Sequence, residues 1–268
     1  MGQRFYNKVQ HMKNYISNNL DTLTCFDNIG GCGDNGIRNE KKIQKQQEIK
    51  YTDNWEKIEA CNVPSATFPN SLPVLLNGLQ VGTSVVERIG SAVTATSLSF
   101  RGFMYVPNLQ TITKEEDLSR VPLVRMIIFW DESARDVPNI LGSAFSSQET
   151  LLDNTSGADG VFCPYNRSTR GRFKILYDKT FKFPVTPLVT TGGLVVSETN
   201  VLPNRVIQGK IKLNRIVQYS GLTGGIQDIS RNALWCVCIS TYDTKVEPPD
   251  DDYFIQANIC FRFNYKDD

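Results

Sequence analysis

Histidine is almost missing from this chain: among 268 residues there is one, His11, set in a polar stretch near the N-terminus. A Ser-His-acid or Cys-His arrangement would have to use it, and metal sites ordinarily draw on more than one such ligand. Phosphate-cradling loops are missing too. "GLTGGIQD" and "VIQGKIK" lack the residues of a P-loop, and "GGCGDNG" has neither a strand before it nor a helix after it. The acidic "EPPDDDYF" lacks the spacing of a dedicated calcium loop. No apolar run approaches the roughly 18 residues of a membrane span, so no membrane partner is expected. "MGQRFYNKVQ" has no apolar stretch behind its charges, so no secretory signal is expected either. Net charge is also scarce, at +1. These absences lead us to expect no catalytic residue, no metal and no cofactor.

Cysteine is present in odd number, seven, which favours reduced thiols over a disulfide framework. Cys25 and Cys32 flank "FDNIGG" at a spacing that matches no common zinc pair. Cys236 and Cys238, two apart in "ALWCVCIST", share one strand face and read as small core residues.

Two regions differ in composition. Residues 1–60 are rich in Asn, Gln, Lys and Asp and read as an N-terminal arm or extension, with a helical turn or two at most in "RNEKKIQKQQEIKYTDNWEKIEA". Residues 61–268 read as one β-domain. "VTATSLSFRGFMYVP" alternates apolar and polar residues, and "PLVRMIIFWD" is a continuous apolar run of the kind buried on both faces. "GRFKILYDKTFKFP", "RVIQGKIKLNRIVQYS", "NALWCVCISTYD" and "DYFIQANICFRFNY" follow, separated by loops of Gly, Pro, Asn, Asp and Ser. No helix long enough for a crossover lies between strands, which excludes a parallel α/β sheet and predicts a sandwich or jelly roll.

The small net charge hides an uneven distribution. Between Pro164 and Gln218 stand Arg167, Arg170, Arg172, Lys174, Lys179, Lys182, Arg205, Lys210, Lys212 and Arg215, against Asp178 and Glu198. The C-terminal part is acidic. In "RFKILYDKTFKF", alternation predicts Phe173, Ile175 and Tyr177 on one face and Lys174, Leu176 and Asp178 on the other. In "KIKLNR", Lys210 and Lys212 oppose Ile211 and Leu213. Strands of this kind side by side would form a positive surface for phosphates, or one that meets the acidic end of an identical subunit. The candidate nucleic-acid contacts are therefore Arg170, Arg172, Lys174, Lys179, Lys182, Lys210, Lys212 and Arg215, joined by Lys41, Lys42 and Lys45 of the extension.

The succession "GTSVVERIGSAVTATSLSFRGFMYVP", "VRMIIFWDESARDVPNIL" and "NRSTRGRFKILYDKTFKF" resembles capsid proteins of circular, Rep-encoding single-stranded DNA viruses, the circovirus-like group. The likeness covers roughly residues 78–220. Glu87 to Gly90 correspond to a phrase preceding the first jelly-roll strand, Arg101 and Gly102 to its end, and Arg125 to Asp131 and Arg172 to Phe181 to later strands. The resemblance implies a single all-β viral jelly roll, two packed four-stranded antiparallel sheets with long loops. It also implies self-assembly of about sixty copies into a closed shell around a circular single-stranded DNA genome. The location it implies is the virion, with the host nucleus during assembly; no host receptor is named by any motif. Coat proteins of small RNA or satellite viruses, and jelly-roll carbohydrate-binding modules, are the alternatives. One departure stands out, because the family's arm is densely arginine-rich. Here Arg4, Lys8, Lys13, Arg38, Lys41, Lys42, Lys45, Lys50 and Lys57 are answered by Asp21, Asp27, Asp34, Glu40, Glu48, Asp53, Glu56 and Glu59. Genome contact is then expected to fall more on the folded domain.

Overall fold

The computed structural model describes residues 48–60, 71–84, 86–105, 123–133, 136–141, 149–153, 160–183, 189–191, 194–196, 204–241 and 255–267. In chain order the strands are β1 (Lys50–Ala60), β2 (Val74–Leu75), β3 (Ala92–Tyr105), β4 (Leu123–Asp131), β5 (Asn139–Leu141), β6 (Thr150–Leu152), β7 (Phe173–Lys182), β8 (Val189–Thr191), β9 (Leu194–Val196), β10 (Asn204–Tyr219), β11 (Ile229–Arg231), β12 (Ala233–Ser240) and β13 (Ile255–Asp267). One sheet runs β1-β13-β3-β10-β11 and a second runs β2-β12-β4-β7; every pairing within them is antiparallel.

Eight strands carry the architecture, and they pair as a folded hairpin: first with last (β1 and β13), second with seventh (β2 and β12), third with sixth (β3 and β10), fourth with fifth (β4 and β7). Two further pairings, β13 with β3 and β12 with β4, roll that hairpin into the two sheets of a jelly roll. The expected all-β jelly-roll fold is thus the observed one.

Residues 50–60 fall on the other side of the expected boundary. The sequence reading placed them in the extension, yet β1 pairs along its whole length with β13, from Lys50 opposite Tyr265 to Ala60 opposite Ile255. Ile58 and Ala60 are buried in the core. Contacts group Gln47–Asp268 as one unit. The strand expected to open the jelly roll, Ala92–Tyr105, is accordingly its third.

The core forms where the inner faces meet. Phe100 of β3 stands edge-on to Tyr177 of β7, centroids 5.2 Å apart, joining the two sheets. Trp130, Trp235, Phe261 and Phe263 are fully buried around them, each contributing roughly 1.5–3 kcal/mol by leaving water. β12 is buried from end to end, with Cys236 and Cys238 inside as free thiols. Two glycines give room within the five-stranded sheet. A Cβ on Gly209 would lie 2.3 Å from the Phe100 ring, and one on Gly102 would lie 2.1 Å from the carbonyl oxygen of Asn258 on β13.

β4 behaves as its apolar run predicts: all but its first residue are buried, on both faces. Its inner residues meet the other sheet. Its outer row, Arg125, Ile127, Phe129 and Asp131, is covered by Leu151, Leu152, Val161 and Cys163 of the loop region between β4 and β7, all buried in the same core cluster.

Candidate nucleic-acid interface

The basic residues singled out from the sequence separate into cations held by carboxylates and cations left free. Arg172, just before β7, is held. Its Nε donates to Oδ1 of Asp131 at 2.9 Å and its Nη2 to Oδ2 at 2.8 Å, while Nη1 donates to Glu149 at 3.0 Å. Asp131 is completely buried. The Arg172 pKa is raised, chiefly by its hydrogen bond to Asp131, against the opposing effect of burial. Arg215 on β10 is held likewise, by Glu132 at 2.7 Å and the Asn232 side chain at 3.2 Å. Both guanidiniums are engaged within the folded domain, Arg172 by a fully buried acid and Arg215 by a partly buried one.

Asp178, the one acidic residue of "RFKILYDKTFKF", is also engaged. It accepts from Nε and Nη2 of Arg125 at 2.9 and 2.7 Å, and from the Tyr165 hydroxyl. Arg125 also donates to the carbonyls of Cys163 and Val161, at 2.7 and 3.3 Å, pinning the covering segment to β4. Burial disfavours the charged form of Asp178, but the bonds from Arg125 and Tyr165 outweigh it and bring its pKa below the usual carboxyl value.

The expected face of β7 needs a correction as well. Ile128 of β4 opposes Tyr177 and the next residue, Phe129, opposes Ile175, so Leu176 is an extra residue in a β-bulge. Each bulge of one residue reverses which side the following side chains take. Tyr177 therefore points inward to Phe100, whereas Phe173 packs edge-on against Phe129 on the outer side, centroids 5.7 Å apart. Simple alternation put the two on one face. Lys174, Lys179 and Lys182 are exposed, and the Lys179 ammonium lies 5.2 Å from the Phe181 ring.

On β10 the alternation holds. Lys210 and Lys212 are exposed, Leu213 is buried, and Ile211 packs against the core. Cross-strand partners share a face, which places Lys210 in a row with Ser99, Arg262 and Asp53, and Lys212 in a row with Ser97, Asn264 and Tyr51. The adjoining rows are Gln208, Arg101, Cys260 and Trp55, then Val206, Phe103, Asn258 and Lys57. Among the described residues nothing covers this outer face: Trp55 is 58% exposed and Val206 71%. Arg101 is exposed and diagonal to Lys210, about 7–8 Å away by strand geometry. Arg262 is not free, since it forks onto Asp53 at 2.7 Å for both contacts, with its guanidinium 4.4 Å from the Tyr51 ring.

The face therefore offers cations (Arg101, Lys210, Lys212) interleaved with exposed rings (Trp55, Phe103, Tyr51). Arg101 and Trp55 were not among the sequence candidates. They come from strands far from the basic span, and only the sheet brings them beside it. Lys41, Lys42 and Lys45 lie outside the described residues.

A second group of exposed cations, Arg167, Arg170 and Lys174, surrounds a cavity of about 620 Å³ that is also lined by the paired Arg215 and Glu132 and by Leu151, Tyr165, Asn166, Thr169, Phe173 and Ile175.

The fold and this surface define the chain as an all-β jelly-roll domain with one covered and one uncovered sheet face. No protein-family model matches it, and no curated protein matches it. Among solved structures, one described as a parvovirus (densovirus) from Galleria mellonella shares 9% identity with a TM-score of 0.23, over 85% of this chain and 88% of that one. A likeness at that level carries no weight for fold or function.

Proposed function

We propose that the chain is a non-catalytic capsid subunit that self-assembles into an icosahedral shell of about sixty copies enclosing a circular single-stranded DNA genome. Its place is the virion, with a nuclear phase in the host during assembly. The observation that carries this reading is the uncovered face of the five-stranded sheet. Trp55 and Phe103 expose aromatic side chains there, of the kind on which unpaired bases stack irrespective of sequence, beside Arg101, Lys210 and Lys212, cations of the kind that neutralise phosphates. The nested strand order supports it too, since the double-sheet jelly roll is an architecture of viral capsid domains.

The nature of the contents is tested by extracting nucleic acid from purified particles and digesting it. Material degraded by DNase and single-strand nuclease and resistant to RNase supports the proposal. Material degraded by RNase alone overturns the DNA assignment in favour of an RNA coat protein.

A further inference from the structure

We propose that the cavity between the 166–171 loop and the start of β7 is a binding site for a nucleoside phosphate. Its ligand is either a free nucleotide or one nucleotide unit of a strand, and the proposal does not depend on the capsid reading.

The cations at this cavity are unbalanced. Glu132 is consumed by Arg215 at 2.7 Å. Arg167, Arg170 and Lys174 are exposed around the same opening and have no ion-pair partner among the described residues. Three like charges focused on one concavity with partly apolar walls raise the local potential for an anion. Two of them are guanidiniums, whose planar fork matches phosphate oxygens.

The loop that presents them is tied down on several sides. The Asn166 amide N–H donates to Leu151 O at 3.0 Å, and the Asn166 side chain donates to the Thr150 hydroxyl at 3.1 Å. Its Oδ1 accepts from the Ser168 amide and hydroxyl at 3.0 and 2.7 Å. The Thr169 hydroxyl donates to Thr150 O at 2.7 Å, and Thr169 O accepts from the amides of Arg172 and Phe173 at 2.9 and 3.1 Å. A site fixed in this way spares the ordering cost of binding.

Size and lining select the rest of the ligand. The volume of about 620 Å³ lies in the range of small organic ligand sites and far exceeds the needs of a bare inorganic anion. Leu151, Phe173 and Ile175 give it an apolar wall for a ring, and Tyr165, Asn166 and Thr169 bring polar groups to the edge. An anionic group attached to a flat, partly apolar ring system satisfies both halves.

Isothermal titration of the full chain with dTMP, thymidine, inorganic phosphate and a short oligo-dT tests the proposal. We expect saturable dTMP binding at one site per chain, with thymidine and inorganic phosphate each weaker by about tenfold or more. Arg167→Gln with Arg170→Gln and Lys174→Gln should abolish it without moving the melting temperature. Lys174→Gln alone, at an exposed position, should weaken it measurably. Competition between oligo-dT and dTMP identifies a strand unit as ligand, and its absence a free nucleotide. The proposal is overturned if dTMP shows no saturable binding, if phosphate binds as tightly as dTMP, or if the triple variant binds undiminished.

Discussion

Arg172 grips Asp131 with a two-pronged contact, 2.9 and 2.8 Å, between the turn before β7 and the last residue of β4, and the carboxylate it grips is fully buried. This pair joins the fourth and fifth jelly-roll strands where they meet and, through Glu149, ties down the start of the segment that covers β4. Removing one partner leaves a buried charge uncompensated. Arg172→Gln should therefore cost roughly 3–5 kcal/mol in chemical denaturation, while Asp131→Leu combined with Arg172→Leu should recover a substantial part. A loss below about 1 kcal/mol, the level of an exposed pair, would remove this role.

Acid sensitivity should trace in part to Asp178. Its folded pKa lies below the ordinary value of about 3.9, so above that value the folded and unfolded chains are both deprotonated and the stabilisation is complete. As pH falls through the unfolded and then the folded pKa, the unfolded state takes up the proton first and the stabilisation is lost. Asp178→Asn should be less stable at neutral pH and show a shallower decline of stability below about pH 4. Melting temperatures across that range read the difference; parallel curves for the two proteins would contradict it.

The position of the domain boundary can be read by truncation. A chain starting at Gln47 retains β1 and should unfold cooperatively. One starting at Cys61 loses the strand that covers the edge of β13 along eleven residues, and should aggregate or unfold without a sharp transition, because it exposes a long sheet edge. Equal stability of the two would return residues 50–60 to the extension.

Why β1 escaped a sequence reading is visible in its residues. Tyr51, Asp53, Trp55 and Lys57 face out, Glu59 on the same side is buried, and the inward row of Thr52, Asn54, Glu56, Ile58 and Ala60 is apolar only at its end, so no alternation stands out. β2 is two residues long and carries no periodicity at all. The apolar run of β4 and the Lys-Ile-Lys-Leu alternation of β10 were legible because burial there follows the local pattern. In β7 the bulge at Leu176 breaks that pattern, and nothing in the alternation announces it. Arg172 and Arg215 looked free because Asp131 and Glu132 stand outside any window of charge counting, and Arg101 and Trp55 were not read as nucleic-acid contacts for the same non-local reason.

Binding of oligo-dT should report the uncovered face. Arg101→Gln with Lys210→Gln and Lys212→Gln removes three exposed cations, and each lost phosphate contact lowers the salt slope by about 0.7 for a single strand, or about 2 in total. Trp55→Ala should cost about 1–3 kcal/mol with the slope nearly unchanged, since it removes stacking and no charge. Anisotropy titrations over a salt series separate the two. An unaltered slope in the triple variant would take nucleic acid off this face.

The central claim is that this jelly roll builds a shell around nucleic acid, and electron microscopy of the full chain expressed alone, with the 260/280 nm absorbance ratio of any particles, tests it most directly. The account predicts uniform closed shells with a nucleic-acid-rich ratio, and a lower ratio in shells carrying the Arg101, Lys210 and Lys212 substitutions. A chain that stays monomeric across salt and pH would contradict it, and would favour a jelly-roll binding module.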